Sequence, residues 1–283
     1  MTAMVLPMSP TGIARAFETA CRAELSALKP GNVHIFAAGH GMEVAQFEHA
    51  AAAAAPAVAR ADLTVGARIE AAVVASLAVA GCNTNLGIIL LCVPLAAAAE
   101  QGQGDLRAAL GAVLDTLDVA DAQAAFRAIV AANPGGLGAV PDADVRVSAT
   151  ITLKSAMAMA AGRDSISRQY VTAFEDIFSL GVPALGDSPL ARERVEAAYL
   201  AFLATFPDSH LARKFGISTA ETVQAEAQAV RAQVEGLDGG RRHDLLLAFD
   251  SRLKARGLNP GTTADLTVAS IFAALLARPQ DAD

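Results

Sequence analysis

The sequence predicts an all-α fold, and three observations carry that reading. Alanine supplies 66 of the 283 residues, against 22 glycines and 12 prolines. Alanine is the best helix former and a poor strand former. Apolar residues recur at helical spacing along most of the chain, as at Ile13, Phe17, Cys21, Leu25 and Leu28. The composition, 53% hydrophobic and 18% charged, provides ample core and excludes a disordered chain.

The elements follow in order. The first helix stops at Lys29-Pro30-Gly31-Asn32, because the residue before proline avoids helical dihedrals and glycine suits a helix end. A polar loop with His34, His40 and Gly41 follows. Residues 43–61 read as a helix whose polyalanine stretch, Ala50 to Ala55, is broken at Pro56. Residues 65–80 and 86–99 are apolar helices separated by Gly81 and Asn83-Thr84-Asn85. Residues 105–115 and 121–132 read as short helices, and Asn133 to Gly138 as a loop. Val145 to Leu153 alternates with β-branched residues, but it runs into an Ala/Met helix and reads as irregular-then-helix. Arg163 to Phe178 reads as one helix ending at Leu180-Gly181. Arg192 to Thr205 is the next, stopped at Pro207. Ser218 and Glu221 form a capping box for a helix to about Val234. Gly239-Gly240 reads as a turn, Leu245 to Ala255 as a helix, and Thr262 with Asp265 as the head of the last helix, to about Leu276. With no internal repeat and no long linker, residues 1–283 read as a single domain of about a dozen helices, with a core at about 12–277.

The net charge of −7 argues against nucleic acid or an anionic membrane as partner, since both select basic surfaces. It leaves room for a small anion in a local basic pocket. The apolar run Leu86 to Ala99 contains Pro94 and is too short to span a bilayer. MTAMVLPMSP lacks the basic start and long apolar run of a signal peptide. Cys21, Cys82 and Cys92 form no CxxC and read as reduced, buried thiols of a cytoplasmic protein.

Function is sought where polar residues interrupt this apolar chain. Four clusters do so: Lys29-Pro30-Gly31-Asn32-Val33-His34, Asn83-Thr84-Asn85-Leu86-Gly87, Pro207-Asp208-Ser209-His210-Leu211-Ala212-Arg213-Lys214 and Asn259-Pro260-Gly261-Thr262-Thr263-Ala264-Asp265. The last three sit at helix starts, whose free N–H groups and positive dipole end attract anions. Lys29, Arg213 and Lys214 are candidate phosphate donors. Asp208 and Asp265 are candidate ligands for Mg²⁺, which takes one or two carboxylates plus substrate phosphates. Each cluster also reads more plainly as ordinary capping, a helix stop or a solvated basic pair. His34 and His40 lack zinc-motif spacing, and His49 and His243 carry no argument. Gly135-Gly136-Leu137-Gly138 lacks the Lys-Ser/Thr of a phosphate loop. Glu43 and Glu70 are secondary acid candidates at helical positions.

In order, KPGNVH, NTNLGI, PDSHLARKFG and LNPGTTADL resemble the triphosphoribosyl-dephospho-CoA synthase family, the CitG/MdcB-like proteins. The resemblance runs over about residues 12–277. It looks closest to a divergent branch of archaea and methylotrophic bacteria, through NTNLGIILL, the segment Arg163-Asp164 to Gln169-Tyr170, and a Pro-Asp-Ser-x-x-Ala-Arg-Lys pattern. It implies an all-helical enzyme that moves the 5-triphosphoribosyl group of ATP to the 2′-hydroxyl of 3′-dephospho-CoA and releases adenine. There are departures. Asn85-Leu86 stands where the family has His-Lys, Asp208-Ser209-His210 where it has Asp-Thr-Asn, Thr262-Thr263 where it has Gly-Ser, and Asn32-Val33-His34 replaces a segment bearing an acid. The acceptor is therefore open, and a ribosyl transfer in the making of a tetrahydromethanopterin-type carrier is an alternative. A non-catalytic nucleotide-binding protein is another. Breaking the bond to adenine calls for an oxocarbenium-like transition state, by analogy with glycoside cleavage. In that scheme Lys29, Arg213 and Lys214 take the triphosphate, with Gly31, Asn32, His34, Ser209, Gly261, Thr262 and Thr263 beside it. Asp208, Asp265 and His210 are the catalytic candidates, and Asn83, Thr84, Asn85 and Asn259 orient ribose or adenine. ATP is the substrate and Mg²⁺ the expected metal; the oligomeric state is left open.

Overall fold

The most apolar segment becomes the centre of the fold. The computed structural model describes residues 7–37, 41–102, 104–134 and 145–278. Among them are fourteen α-helices, one π turn and no strand. The first six are α1 (Pro10–Leu25), α2 (Val44–Val58), α3 (Val65–Ala80), α4 (Leu86–Ala99), α5 (Leu106–Thr116) and α6 (Val119–Ala132). Next come α7 (Leu153–Ala160), α8 (Ser165–Thr172), the π turn (Ile177–Gly181) and α9 (Val182–Leu185). The chain ends with α10 (Arg192–Thr205), α11 (Ser209–Phe215), α12 (Ile217–Val234), α13 (Gly239–Ala255) and α14 (Gly261–Leu276).

Helix α4 is apolar all round and buried along nearly its whole length, as such a helix must be. It packs against α3, α5, α8 and α14. Pro94 lies inside it and cannot donate to the carbonyl of Leu90. The hydroxyl of Tyr170, from α8, donates to that carbonyl instead at 2.6 Å. A second apolar cluster lies under α10–α13, with Leu28, Leu211, Val223, Leu246 and Phe249 among its members. Helix α10 serves both cores: Val195, Ala198 and Phe202 belong to the first, Tyr199, Leu200 and Leu203 to the second.

The structure departs from the sequence reading in four places. Helix α2 runs through Pro56 to Val58, because the carbonyl freed by proline, that of Ala52, lies on the exposed face. The helix expected over 163–178 is interrupted. Ala173 and Phe174 adopt φ of 47° and 55°, and the π turn follows. Arg107 of α5 caps the break by donating to the carbonyls of Ala173 and Thr172 at 3.1 and 3.3 Å. The Ser218–Glu221 capping box does not form, since α12 begins at Ile217 with Gly216, at φ 90°, as its cap. Gly239-Gly240 is the first turn of α13 rather than a turn of its own, capped by Asp238. The Gly135–Gly138 loop and His40 lie outside the described residues.

Candidate active site

Helix starts build the site. The N-terminal ends of α4, α8, α11 and α14 all border one cavity of about 470 Å³. Their caps tie them to one another. Asp208 caps α11 by accepting from the N–H of Leu211 at 2.9 Å. Its other oxygen accepts from both the N–H and the hydroxyl of Thr263 at 2.8 Å, in the first turn of α14. Ser209 accepts from the N–H of Ser165 at 2.8 Å and donates to its hydroxyl at 3.1 Å, which joins α11 to α8. Asp265 of α14 reaches α4 where Gly87 leaves room: a Cβ on Gly87 would lie 2.1 Å from Oδ2 of Asp265. Side-chain caps occupy several of the first-turn N–H groups, among them those of Leu86, Ser165, Ser167, Leu211 and Thr263, while the positive dipole ends of the helices converge on one space, which favours an anion there.

The charged groups are unevenly committed. Arg213 lines the cavity and pairs with Asp164 at 2.5 Å, while its buried Nε has no partner. Arg163 borders the same space and is exposed. Asp265 has no hydrogen bond among the described residues, and its carboxyl is pushed well above the usual range. Burial is the main cause, and the neighbouring charges of Asp208, Glu24 and Asp164 add to it. Glu24 also faces the cavity. It pairs with Lys29 at the start of the KPG turn, and both are buried. Burial drives Glu24 up and Lys29 down, toward their neutral forms.

Lys29 therefore stands behind the wall and acts through its neighbours. Its ammonium donates to Asn32 Oδ1 at 3.2 Å, and Asn32 Nδ2 donates to Asn259 Oδ1 at 2.8 Å. Asn32 and Asn259 both line the cavity. Gly31, at φ 86°, donates its N–H to Asp250 at 2.8 Å; a Cβ there would meet Leu258 O and Pro260 Cδ at 2.8 Å.

Of the residues singled out from sequence, Asn32, Asn83, Thr84, Asn85, His210, Arg213, Asn259, Gly261 and Asp265 come together around the cavity. His210 lies against Gly261, its Nδ1 3.3 Å from where a Cβ would stand. Asp208, Ser209 and Thr263 sit one layer back as the ties between helix starts, and Thr262 is buried in the first turn of α14. His34 belongs to a separate buried group, 3.3 Å from both Asp250 and Lys254. Burial pushes its imidazole down, toward the neutral form. Lys214 is exposed and rests over the Phe215 ring at 5.3 Å. Glu43 donates its N–H to Gln46 at the start of α2, and Glu70 pairs with Arg127 on the surface. Sequence reasoning missed Glu24, Arg163 and Asp164 as cavity residues. The apolar wall was missed too: Met42, Phe47, Phe126, Ile129 and Met157 look like ordinary core residues in sequence. Among the described residues, no three His, Cys, Asp or Glu side chains gather into a metal cage, and no helix is long and apolar enough to cross a membrane.

A crystal structure from Archaeoglobus fulgidus, described as a candidate triphosphoribosyl-dephospho-CoA synthase, resembles this fold with a TM-score of 0.63 at 25% identity. The match covers 82% of this chain and 99% of that one. No curated protein sequence matches. The family model for CitG, ATP:dephospho-CoA triphosphoribosyl transferase, matches residues 10–283. The family model's match along nearly the whole chain leads to one conclusion: this protein belongs to the CitG family of ATP-dependent triphosphoribosyl transferases.

Proposed function

We propose that the cavity binds ATP and transfers its 5-triphosphoribosyl group to an acceptor hydroxyl, with 3′-dephospho-CoA as the first candidate acceptor. One observation carries the site assignment: four helix starts, two arginines and an uncommitted carboxylate, Asp265, meet in a single cavity. In the transfer the bond from the anomeric carbon to adenine breaks, and its electron pair leaves with the base. The acceptor oxygen bonds to that carbon, and its proton ends on the departing adenine. Asp265, without a hydrogen-bond partner among the described residues, is our candidate to take that proton first. Once deprotonated, a carboxylate with a raised pKa is a stronger base than an ordinary aspartate. Arg163 and Arg213 hold the triphosphate, and Asn32 and Asn259 orient the sugar. Asp208, with both oxygens committed to Leu211 and Thr263, aligns α11 with α14.

The donor set fits Mg²⁺ that enters with phosphate. As an alternative to taking the proton, Asp265 would supply the carboxylate that such sites need, and the metal would neutralise phosphate charge. Asn85-Leu86, standing where the family resemblance has His-Lys, gives the site one cation fewer than the family pattern. This favours a second reading, in which the acceptor is a less anionic molecule such as a tetrahydromethanopterin precursor. Asp265→Asn is expected to lower adenine release from ATP by about 10²–10⁴-fold, the usual cost of losing a positioned acid–base group. The assay pairs ATP and Mg²⁺ with 3′-dephospho-CoA and, separately, with a pterin-type acceptor, and identifies the ribosylated product by mass. Wild-type turnover in the folded variant overturns the role of Asp265.

A further inference from the structure

Among the described residues, five buried side-chain polar atoms have no hydrogen-bond partner, and three belong to residues that line the cavity: Thr84 Oγ1, Asn85 Nδ2 and Arg213 Nε. Such atoms are costly to leave unpaired, so a cluster of them at a cavity points to a ligand. They divide by chemistry. Arg213 stands with Asp164 at the start of α8, and an arginine selects phosphate. Asn85 is different. It is 6% exposed, and its Oδ1 accepts from the Ser76 hydroxyl of α3 at 2.6 Å. That bond fixes the amide and leaves Nδ2 as a lone neutral donor. The cavity that Asn85 lines also has apolar wall residues, Met42, Phe47, Phe126 and Met157 among them. A neutral donor among apolar and aromatic side chains suits a flat uncharged ring with acceptor nitrogens. Purine faces stack on such side chains, and asparagine amides pair with adenine edges.

We infer that Asn85, held by Ser76, reads the adenine base, so that ATP lies with its base at the start of α4 and its phosphates toward Arg213 and Arg163. This rests on the nucleotide reading of the cavity and adds the direction in which the nucleotide lies. Asp265 fits between the two ends, since it touches α4 at Gly87, two residues from Asn85.

The test is calorimetric titration of the full chain with ATP, adenosine and inorganic tripolyphosphate, each with Mg²⁺. Asn85→Ala is expected to weaken ATP and adenosine by roughly tenfold, about the worth of one hydrogen bond, and to leave tripolyphosphate within about twofold. Arg213→Gln is expected to do the reverse, weakening ATP and tripolyphosphate but not adenosine. Asn85→Asp retains the Ser76 partner and the shape of the side chain but replaces the donor with an acceptor. On uncharged adenosine it should match Asn85→Ala, which separates loss of the donor from loss of packing, while its added charge is expected to weaken tripolyphosphate as well. Equal weakening of tripolyphosphate and ATP by Asn85→Ala, or no weakening of either ATP or adenosine, overturns the orientation. A wild-type protein that binds none of the three probes overturns the nucleotide reading itself, and the orientation with it.

Discussion

Asp265 and Asp208 look interchangeable in the sequence, each an acid in a polar cluster at a helix start. Packing separates them. Asp208 spends both oxygens on Leu211 and Thr263, whereas Asp265 makes no hydrogen bond among the described residues and sits among like charges. No spacing rule distinguishes these fates, because the partners of Asp208 include a residue 55 positions away. Lys29 shows the same limit: it reads as a phosphate donor, yet it is fully buried against Glu24. The pH dependence of stability follows for Asp265. Its folded pKa is raised, so above the ordinary carboxylate range the unfolded chain has lost a proton that the native state retains. Stability therefore falls as pH rises through that window, and the loss is complete above the folded pKa. Asp265→Asn is expected to raise the melting temperature at neutral pH while lowering activity, with the gain shrinking toward pH 4. A gain that stays constant across pH, measured by thermal unfolding, contradicts this. The same residue should place the acid limb of the activity profile above the usual carboxylate range.

The helices themselves were largely legible, since alanine content and apolar spacing set α3, α4 and α10 nearly to the residue. The break after α8 was not legible. Left-handed Ala173 and Phe174 carry no glycine or proline signal, and they are held by the burial of Phe174 and by Arg107 of α5. The convergence of helix starts was legible only in part: three polar clusters marked the starts of α4, α11 and α14, the start of α8 was not singled out, and the ties between them are long-range. Gly87 is the element-scale test. A methyl there would overlap the Asp265 carboxylate at 2.1 Å and Ile166 at 2.8 Å. Gly87→Ala is expected to cost about 1–3 kcal/mol, as overpacking does. It should also displace Asp265 and lower turnover by at least about tenfold, whereas a substitution at exposed Gly162 should do neither. Chemical denaturation and the adenine-release assay check both parts.

At the scale of the whole molecule, two apolar cores share α10, whose successive residues face one core or the other. Neither core can melt without stripping a face of that helix. Thermal unfolding is therefore expected as a single calorimetric transition, and ATP with Mg²⁺ at about a hundred times its dissociation constant should stabilise it by about 2.7 kcal/mol. Two separated transitions, only one of them shifted by ATP, would contradict the shared helix. The turn at Lys29-Pro30-Gly31 adds a constraint of order in time. Its Pro30 carbonyl accepts from the Tyr199 hydroxyl, its Gly31 N–H meets Asp250, and the adjoining Asn32 meets Asn259, across separations of 169, 219 and 227 residues. Pairings of such span close late in folding, after their loop-entropy cost has been met. During synthesis the turn emerges near the beginning and its partners near the end. If the cavity is the nucleotide site proposed above, a growing chain does not complete it until its last helices have left the ribosome, and a stalled or truncated product is expected to be inert toward ATP.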